Sequence, residues 1–328
     1  MRSLLLYFLG FFLACPLSST AKEAKNARTV PNHKALPSSS FPDAFLPDDS
    51  ASCAIPFIRA GNLIIVKARV DTIEGNFILD SGAPHLVLNL TYFRHYQATV
   101  EAEAEQTSIT GTANAVMKTK VAAFNLGTLD FYHTEADLVN LGHIENSKGI
   151  KILGLLGMEL FKQCELFIDY EKNTLYLHRI GRKEASSYKS EHLGDTSTYR
   201  TFPIEILKNR IIATTTMDGK KLKFVIDCAA ESNVLDSRSP NRVMENVTIT
   251  RRVMLTGSNN RKVEALYGNV TKLTMGELEL GNLPVLITNL ERTCFSDLGC
   301  INGVLGFDFL SLQKIGFNFV TRKMYIWK

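Results

Sequence analysis

The chain contains one pattern twice, and this internal repeat is the feature that most constrains its fold. Residues 62–89 align without gaps on residues 209–236, at an offset of 147 positions. Residues 154–178 align in the same way on residues 303–327. Self-similarity at a fixed period indicates repeated structural units. Because 328 residues are enough for two units of ordinary domain size, we expect two similar lobes.

Each unit is rich in segments that are typical of β-strands. These segments are short, rich in Val, Ile, Phe and Tyr, and bounded by Gly, Asn and Asp; in the first unit they are "LIIVKARV", "NFILD", "KTKVAAFNL", "ELFIDY" and "TLYLH". One short helix is predicted in each unit, over residues 158–163 and 307–312. The sequence therefore predicts an all-β fold with two β-barrel-like lobes and short helices.

Composition places the boundaries between these units. An early arginine, an apolar run and then small residues are typical of a secretory signal peptide over residues 1–21. Residues 22–55 follow as a predicted disordered tether or removable pro-segment. The polar stretch 181–200 lacks apolar periodicity and is interpreted as a linker. The N-terminal lobe is therefore assigned to residues 56–180 and the C-terminal lobe to residues 201–328.

The signal peptide over residues 1–21 predicts an exported protein, either secreted or periplasmic. Cleavage after Ala21 would suit the small residues that precede it. Cys15 follows Leu13 and Ala14, which loosely resembles a lipoprotein processing site. A lipid anchor through Cys15 therefore stays open as the less favoured alternative.

Export permits disulfides, but the cysteines of the mature chain are odd in number. Cleavage after the leader leaves five, so at least one stays unpaired. Cys294 and Cys300 are close in sequence and could close a small loop. Cys53 could reach Cys164, whereas Cys228 is interpreted as a buried free thiol.

An aspartate follows an apolar strand at the same place in each unit. Asp80 ends the run "FILD", and Asp227 ends the run "FVID". A charge at the end of a buried strand costs stability unless something pairs with it or uses it. Two similar lobes can pack about a pseudo-twofold axis, which would bring Asp80 and Asp227 together. Two such carboxyl groups share a proton, so one can activate a water while the other donates to a carbonyl oxygen.

The ordered parts around these aspartates resemble those of the aspartic protease clan of retropepsins and pepsins. "LDSGA" follows an apolar strand, and "LLG" precedes a short helix; with the ending "DYEKNTLYL" they look most like exported bacterial retropepsin-like proteases. The resemblance covers about 60–180 and 200–328. It implies a bilobal acid-protease fold and an aspartic endopeptidase that hydrolyses polypeptides with a catalytic pair, Asp80 and Asp227. It implies no cofactor and no metal.

The resemblance also implies roles for residues near each aspartate. Ser81 would brace the two active-site loops through its hydroxyl, and Gly82 would let the chain turn sharply. The residues that support the loops would be Ser81, Gly82, Ala83, Cys228, Ala229 and Ala230. The flap candidates are Thr110, Gly111, Thr256 and Gly257. The structural glycines of the repeat are Gly157 and Gly306.

The second loop departs from the family pattern, since it reads "DCAA" where a hydroxyl and a glycine are expected. The Cys228 thiol is a weaker donor than a hydroxyl. Ala229 would be strained if its position requires a positive φ. A second hypothesis is therefore a secreted, non-catalytic peptide-binding pseudoprotease with a degenerate second lobe. In a third, the first lobe works by pairing with the first lobe of another chain.

The distribution of charge and the positions of the histidines indicate which ligands and partners to expect. The formal net charge of +4 is spread along the chain without a basic block, so we expect no nucleic-acid partner. The seven histidines show no ligand spacing, so we expect no metal. A monomer with both lobes in one chain is the favoured assembly, with a homodimer as the alternative.

Overall fold

The structure, a computed structural model, describes residues 14–15, 51–97, 100–107, 113–256, 262–291 and 298–328. The strands of the first half are β1 (Ala14–Cys15), β2 (Ser52–Pro56), β3 (Ile58–Ala60), β4 (Leu63–Val70), β5 (Ile73–Leu79), β6 (Leu86–Asn89), β7 (Val100–Thr107), β8 (Ala113–Leu126), β9 (Leu129–Val139), β10 (Gly154–Leu156), β11 (Cys164–Asp169) and β12 (Thr174–Arg179). The helices of this half are α1 (Gly142–Lys148) and a 3₁₀ helix, Met158–Phe161.

The second half repeats this order. Its strands are β13 (Tyr199–Leu207), β14 (Arg210–Met217), β15 (Lys220–Ile226), β16 (Val234–Asp236), β17 (Val247–Thr256), β18 (Lys262–Met275), β19 (Leu278–Thr288), β20 (Gly303–Leu305), β21 (Ile315–Asn318) and β22 (Lys323–Trp327). Its helices are α2 (Asn241–Met244), α3 (Phe307–Leu310) and a 3₁₀ helix, Thr196–Thr198, that precedes β13. The predicted all-β fold with two similar lobes and short helices is confirmed.

The strand that precedes each aspartate lies inside its sheet. β5 pairs antiparallel with β4 and parallel with β10, and β15 pairs antiparallel with β14 and parallel with β20. The last three residues of β5 and of β15 are all buried. A strand covered on both faces reads as a continuous apolar run, which explains "FIL" and "FVI" before the aspartates.

One sheet joins the two lobes. Six neighbouring antiparallel strands run in the order β2, β12, β11, β21, β22 and β13, so that each lobe contributes three. The lobes meet where β11 pairs with β21, with Ile168 opposite Ile315 and Glu165 opposite Asn318. The carboxylate of the buried Glu165 accepts hydrogen bonds from Asn318 Nδ2 at 3.0 Å and from Tyr188 OH at 2.9 Å. This shared sheet fixes the position of one lobe relative to the other.

The outer strands of the shared sheet correct two predicted boundaries. β2 includes residues that were assigned to the tether, because Ser52–Pro56 pairs with β12. β13 begins at Tyr199, inside the predicted linker, and pairs with β22. Both strands expose part of their residues, so neither gives a clear apolar run in the sequence. Helix α1 was not predicted, because Ile144 is its only buried residue.

Two residues of the predicted leader also pair with the fold. Ala14 and Cys15 lie opposite Gln106 and Glu105 of β7. Strand β7 is otherwise an edge of its sheet, and edge strands offer unpaired backbone groups to any extended segment. The signal-peptide assignment of residues 1–21 stays a prediction.

The repeat glycine before the 3₁₀ helix gives a test of this packing. A Cβ at Gly157 would lie 1.9 Å from the carbonyl oxygen of His85. We expect Gly157→Ala to lower the free energy of unfolding by about 3 kcal/mol, because backbone must move to admit the methyl group. Chemical denaturation would measure the change.

Gly281→Ala in β19 is the matched control, since its Cβ would lie 3.6 Å from the nearest atom, an ordinary contact. Equal effects of the two substitutions would contradict the close approach at Gly157.

Candidate active site

The two aspartates occupy equivalent places in the two lobes. Asp80 follows β5, and its N–H donates to the carbonyl oxygen of Leu156 at 3.1 Å. Asp227 follows β15, and its N–H donates to the carbonyl oxygen of Leu305 at 3.0 Å. Each aspartate is therefore held at the end of its strand by the parallel neighbour, β10 or β20. This pairing explains why both units need an apolar segment far downstream of the aspartate.

Each carboxyl group is oriented by the turn that follows it. Asp80 Oδ1 accepts hydrogen bonds from the N–H groups of Gly82 at 2.9 Å and Ala83 at 3.0 Å. Asp227 Oδ1 accepts a hydrogen bond from the N–H of Ala229 at 2.8 Å. The backbone N–H of Ala230 also lowers the pKa of Asp227. Small residues after the aspartate allow the chain to fold back so that its N–H groups point at the carboxyl.

Asp80 and Asp227 meet between the lobes, and both are buried. The two side chains lie near enough for each carboxyl group to act on the pKa of the other. Burial raises the pKa of Asp80 to about 6, while hydrogen bonds from Ala83, Gly82 and Asp227 and the charge of Arg210 act in the opposite direction. Burial, and next the negative charge of Asp80, raise the pKa of Asp227 well above its ordinary value. The pair can therefore hold one proton where isolated aspartates would be fully ionised.

The Ser81 hydroxyl lies across the boundary between the two active-site loops. Its oxygen accepts from the N–H of Cys228 at 2.8 Å, and its O–H lies 3.0 Å from the carbonyl oxygen of Ile226 and 3.2 Å from Cys228 Sγ. A single side chain of the first lobe thus satisfies backbone groups on both sides of Asp227. The loop that carries Asp227 is tied to the loop that carries Asp80.

Cys228 takes the equivalent place in the second loop with a weaker group. It is a free, buried thiol, and burial raises its pKa to about 12, so it stays protonated. Hydrogen bonds with the hydroxyl and with the backbone N–H of Ser81 act in the opposite direction. The reciprocal brace from the second lobe is therefore made by sulfur, a weak hydrogen-bonding atom.

Ala229 does not carry the strain that its sequence context suggested. Its φ is not positive, so an alanine is tolerated without a backbone penalty. Its methyl group belongs to a buried apolar cluster with Leu63, Ile78 and Ala83. The departure from glycine in "DCAA" therefore adds apolar packing between the lobes.

The repeat glycines bring the downstream segment against each active-site loop. After Gly157, the N–H of Met158 donates to the carbonyl oxygen of Ala83 at 2.9 Å. After Gly306, the N–H of Phe307 donates to the carbonyl oxygen of Ala230 at 2.8 Å. Both segments thereby hold the third residue of the loop, whose N–H faces the carboxyl.

The flap candidates stay predictions, whereas the structure contradicts a disulfide between Cys53 and Cys164. Three of the four flap candidates lie outside the described residues: Thr110, Gly111 and Gly257. The fourth, Thr256, is the last residue of β17.

Cys300 carries a free thiol, and Cys294 lies outside the described residues. Cys53 and Cys164 are also free thiols. β12 lies between their strands, and this exceeds the reach of a disulfide.

Sequence reasoning missed a cation beside the pair. Arg210, the first residue of β14, is fully buried, and its Nε donates to the carbonyl oxygen of Gly82 at 3.0 Å. The signal was present in the repeat, because the aligned residue of the first unit is Leu63. An arginine that replaces a leucine at the start of an apolar strand indicates a specific buried partner.

A second contact between the lobes involves Glu231. The carboxylate of Glu231 pairs with Lys148 of α1 at 2.5 Å, and both side chains are only 12% exposed. The Asn62 side chain donates to the carbonyl oxygen of Glu231 at 3.1 Å. Glu231 follows the second active-site loop, and the structure places it at the interface between the lobes.

Within the described ranges, no group of three or more His, Cys, Asp or Glu side chains is arranged to hold a metal ion. Among the same residues, no helix combines the length and the apolar character that crossing a bilayer requires.

Each of the two lobes matches the same protein-family model. A family model described as aspartyl protease matches residues 66–160 and residues 213–309, one stretch in each lobe. A search of curated proteins found no match. Among solved structures, the chain is similar to basic 7S globulin from soybean, with 10% identity and a TM-score of 0.43, over 84% of this chain and 94% of that chain. It is also similar to an aspartic proteinase from Irpex lacteus, with 9% identity and a TM-score of 0.49, over 85% of this chain and 97% of that chain.

The unequal braces of the two loops predict unequal effects of substitution. Ser81→Ala removes the hydroxyl that accepts from the buried N–H of Cys228 and that lies 3.0 Å from the carbonyl oxygen of Ile226, so we expect the free energy of unfolding to fall by about 2 kcal/mol. Cys228→Ala removes only a weak sulfur contact, so its effect should be smaller. Denaturant unfolding of both variants measures this difference. A larger effect for Cys228→Ala would show that the second lobe supplies the stronger brace.

Proposed function

Because this chain belongs to the aspartyl protease family, we propose that it is an aspartic endopeptidase whose catalytic pair is Asp80 and Asp227. The observation that carries the proposal is the buried contact between these two carboxyl groups, each oriented by N–H groups of its own loop. The substrate that the family implies is a polypeptide. Ser81 would keep the two loops together during turnover.

The chemistry follows from one proton shared by two carboxyl groups. The ionised carboxyl takes a proton from a water molecule, and the water oxygen attacks the carbonyl carbon of the scissile bond. The protonated carboxyl donates its proton to the carbonyl oxygen, which gives a neutral tetrahedral diol. The carboxyl that took the water proton then gives it to the leaving nitrogen as the C–N bond breaks, and the diol hydroxyl returns its proton to the other carboxyl.

The second lobe supports this proposal despite its unusual loop. The N–H of Ala229 donates to Asp227, just as the N–H of the equivalent residue Gly82 donates to Asp80. Among the described residues, Asp227 Oδ2 has no hydrogen-bond partner, which suits a group that donates to substrate. The alternative function, a non-catalytic peptide-binding protein, is supported only by the weaker hydrogen bonding of Cys228. Measurements of peptide cleavage and of peptide binding distinguish the two functions.

We propose further that the protein is an exported monomer. The predicted signal peptide over residues 1–21 supports export, and a cytoplasmic protein that retains this segment would contradict export.

The pairing of β11 with β21 supports a monomer, because one chain supplies both carboxyl groups and the sheet that joins them. A catalytic site completed by a second chain would require another arrangement of the lobes.

Replacement of one carboxyl by its amide tests the catalytic assignment. Asp80→Asn removes the ionisable oxygen with almost no change of shape, so cleavage should fall by at least about a thousandfold, within the range of general acid–base catalysis. Cleavage of an unfolded protein, followed by mass spectrometry of the products, measures this loss. Asp130→Asn is the matched control, since Asp130 lies at the start of β9 in the same lobe, and its activity should equal that of the wild type.

Undiminished cleavage by Asp80→Asn would show that the assignment is wrong. If the wild type binds an extended peptide and a pepstatin-type inhibitor but does not cleave, the non-catalytic peptide-binding function is supported instead.

A further inference from the structure

Arg210 is a fully buried arginine beside the pair of aspartates, and by volume it heads the fully buried side chains among the described residues. Moving a cation out of water costs several kcal/mol unless hydrogen bonds and an opposite charge offset that cost. Its Nη1 lies 3.5 Å from the carbonyl oxygen of Lys208, a weak contact. Its Nε makes the shorter contact with the carbonyl oxygen of Gly82 at 3.0 Å. The arginine of the second lobe is therefore directed into the active-site loop of the first.

One peptide unit connects this cation to a carboxyl group. The carbonyl of Gly82 and the N–H of Ala83 belong to the same planar amide. The oxygen of that amide accepts from Arg210 Nε at 3.0 Å, and its N–H donates to Asp80 Oδ1 at 3.0 Å. A cation on the oxygen polarises the amide and strengthens its N–H as a donor, because successive hydrogen bonds reinforce one another. Arg210 thus acts on Asp80 through one amide as well as through space.

The second carboxyl has no counterpart to this arrangement. The residue that aligns with Arg210 in the first lobe is Leu63, which is fully buried in the apolar cluster that contains Ala229. The loop of Asp80 therefore faces a guanidinium of the other lobe, whereas the loop of Asp227 faces a leucine. Two lobes with a similar order of strands therefore surround their carboxyl groups with different charge.

We propose that Arg210 is a positioning residue that makes Asp80 the ionised member of the catalytic pair, and so the general base, while Asp227 holds the proton. This assignment rests on the proposed function, since it gives each carboxyl its role in peptide hydrolysis. Water loses its proton to Asp80, and the carbonyl oxygen of the substrate receives the proton of Asp227. The reverse assignment would place the negative charge on Asp227, whose loop faces Leu63 instead of the Arg210 guanidinium.

The other titratable groups around the pair do not favour the reverse assignment. Asp227 and Asp80 repel each other when both are charged, and the thiol of Cys228 stays neutral. Tyr170, which follows β11, is partly buried, and burial of its hydroxyl raises its pKa well above the ordinary value, so it is also neutral. The charge of Arg59, in β3, lowers the pKa of Tyr170. The guanidinium carbon of Arg59 lies 4.6 Å from the centre of the Phe307 ring. The charge of Arg210 lowers the pKa of Asp80, in agreement with the geometry.

Two substitutions separate the charge of Arg210 from its volume. Arg210→Met keeps a long unbranched side chain without charge, and apolar replacements of buried ions are often tolerated. Arg210→Lys keeps the charge without the planar donor group. Arg242→Met is the control, because Arg242 lies exposed in α2 of the same lobe and pairs with Asp218. All three variants change the same residue type in the same lobe.

Carboxyl titration by ¹³C NMR provides a readout that does not require cleavage, with Asp80→Asn used to assign the Asp80 signal. In Arg210→Met, Asp80 should titrate about one pH unit higher than in the wild type, which corresponds to a tenfold change in its ionisation constant. The acid limb of the kcat/KM profile should move upward by the same amount. Arg210→Lys should show a smaller shift, and Arg242→Met none.

A folded Arg210→Met variant whose Asp80 titrates as in the wild type would overturn the proposal. If neither Arg210 variant folds, the wild type itself decides, since a pair in which Asp227 ionises before Asp80 would also overturn it. A wild type without peptide cleavage would contradict the proposed function, while the titration of Asp80 would still test the role of Arg210.

Discussion

The contact between two buried carboxyl groups is the interaction on which the rest of this structure depends. Asp80 and Asp227 are both buried, and burial raises the pKa of both. Two charges in such a place would repel strongly, so the pair must share a proton or be offset by donors and cations. The N–H groups of both loops donate to the carboxyl oxygens, and the guanidinium of Arg210 supplies a positive charge beside Asp80.

The fold brings these partners together by pairing strands that are far apart in sequence. The aspartates are held by β10 and β20, and the lobes are held by the shared sheet in which β11 pairs with β21. Positions without a side chain are needed where backbones approach closely. A Cβ at Gly154 or at Gly303 would lie 2.1 Å from a carbonyl oxygen of the neighbouring strand, Val87 or Val234. The repeat therefore preserves glycine beside β6 and β16 while other positions differ.

The two lobes share a backbone plan but not an electrostatic one. The first lobe has a hydroxyl at Ser81 where the second has the thiol of Cys228, and the second has Arg210 where the first has Leu63. Each difference acts across the boundary, because Ser81 contacts the loop of Asp227 and Arg210 contacts the loop of Asp80. A single chain can hold such differences, whereas two identical chains would present the same groups from both sides. In the function proposed above, this asymmetry gives one carboxyl the role of base and the other the role of acid.

The sequence by itself determined the two-lobed β fold and the place of both aspartates, because strand periodicity, turn residues and an internal repeat are local patterns. "FILDSGA" and "FVIDCAA" locate the two loops without any tertiary information. Only the tertiary structure decided that Ala229 is unstrained, that Ser52–Pro56 is a strand, and that Arg210 reaches Gly82. The last contact joins residues 128 positions apart, and no local pattern specifies which of many loops a buried arginine will meet. The packing of one lobe against the other specifies it, since the same interface aligns β11 with β21 and the two active-site loops.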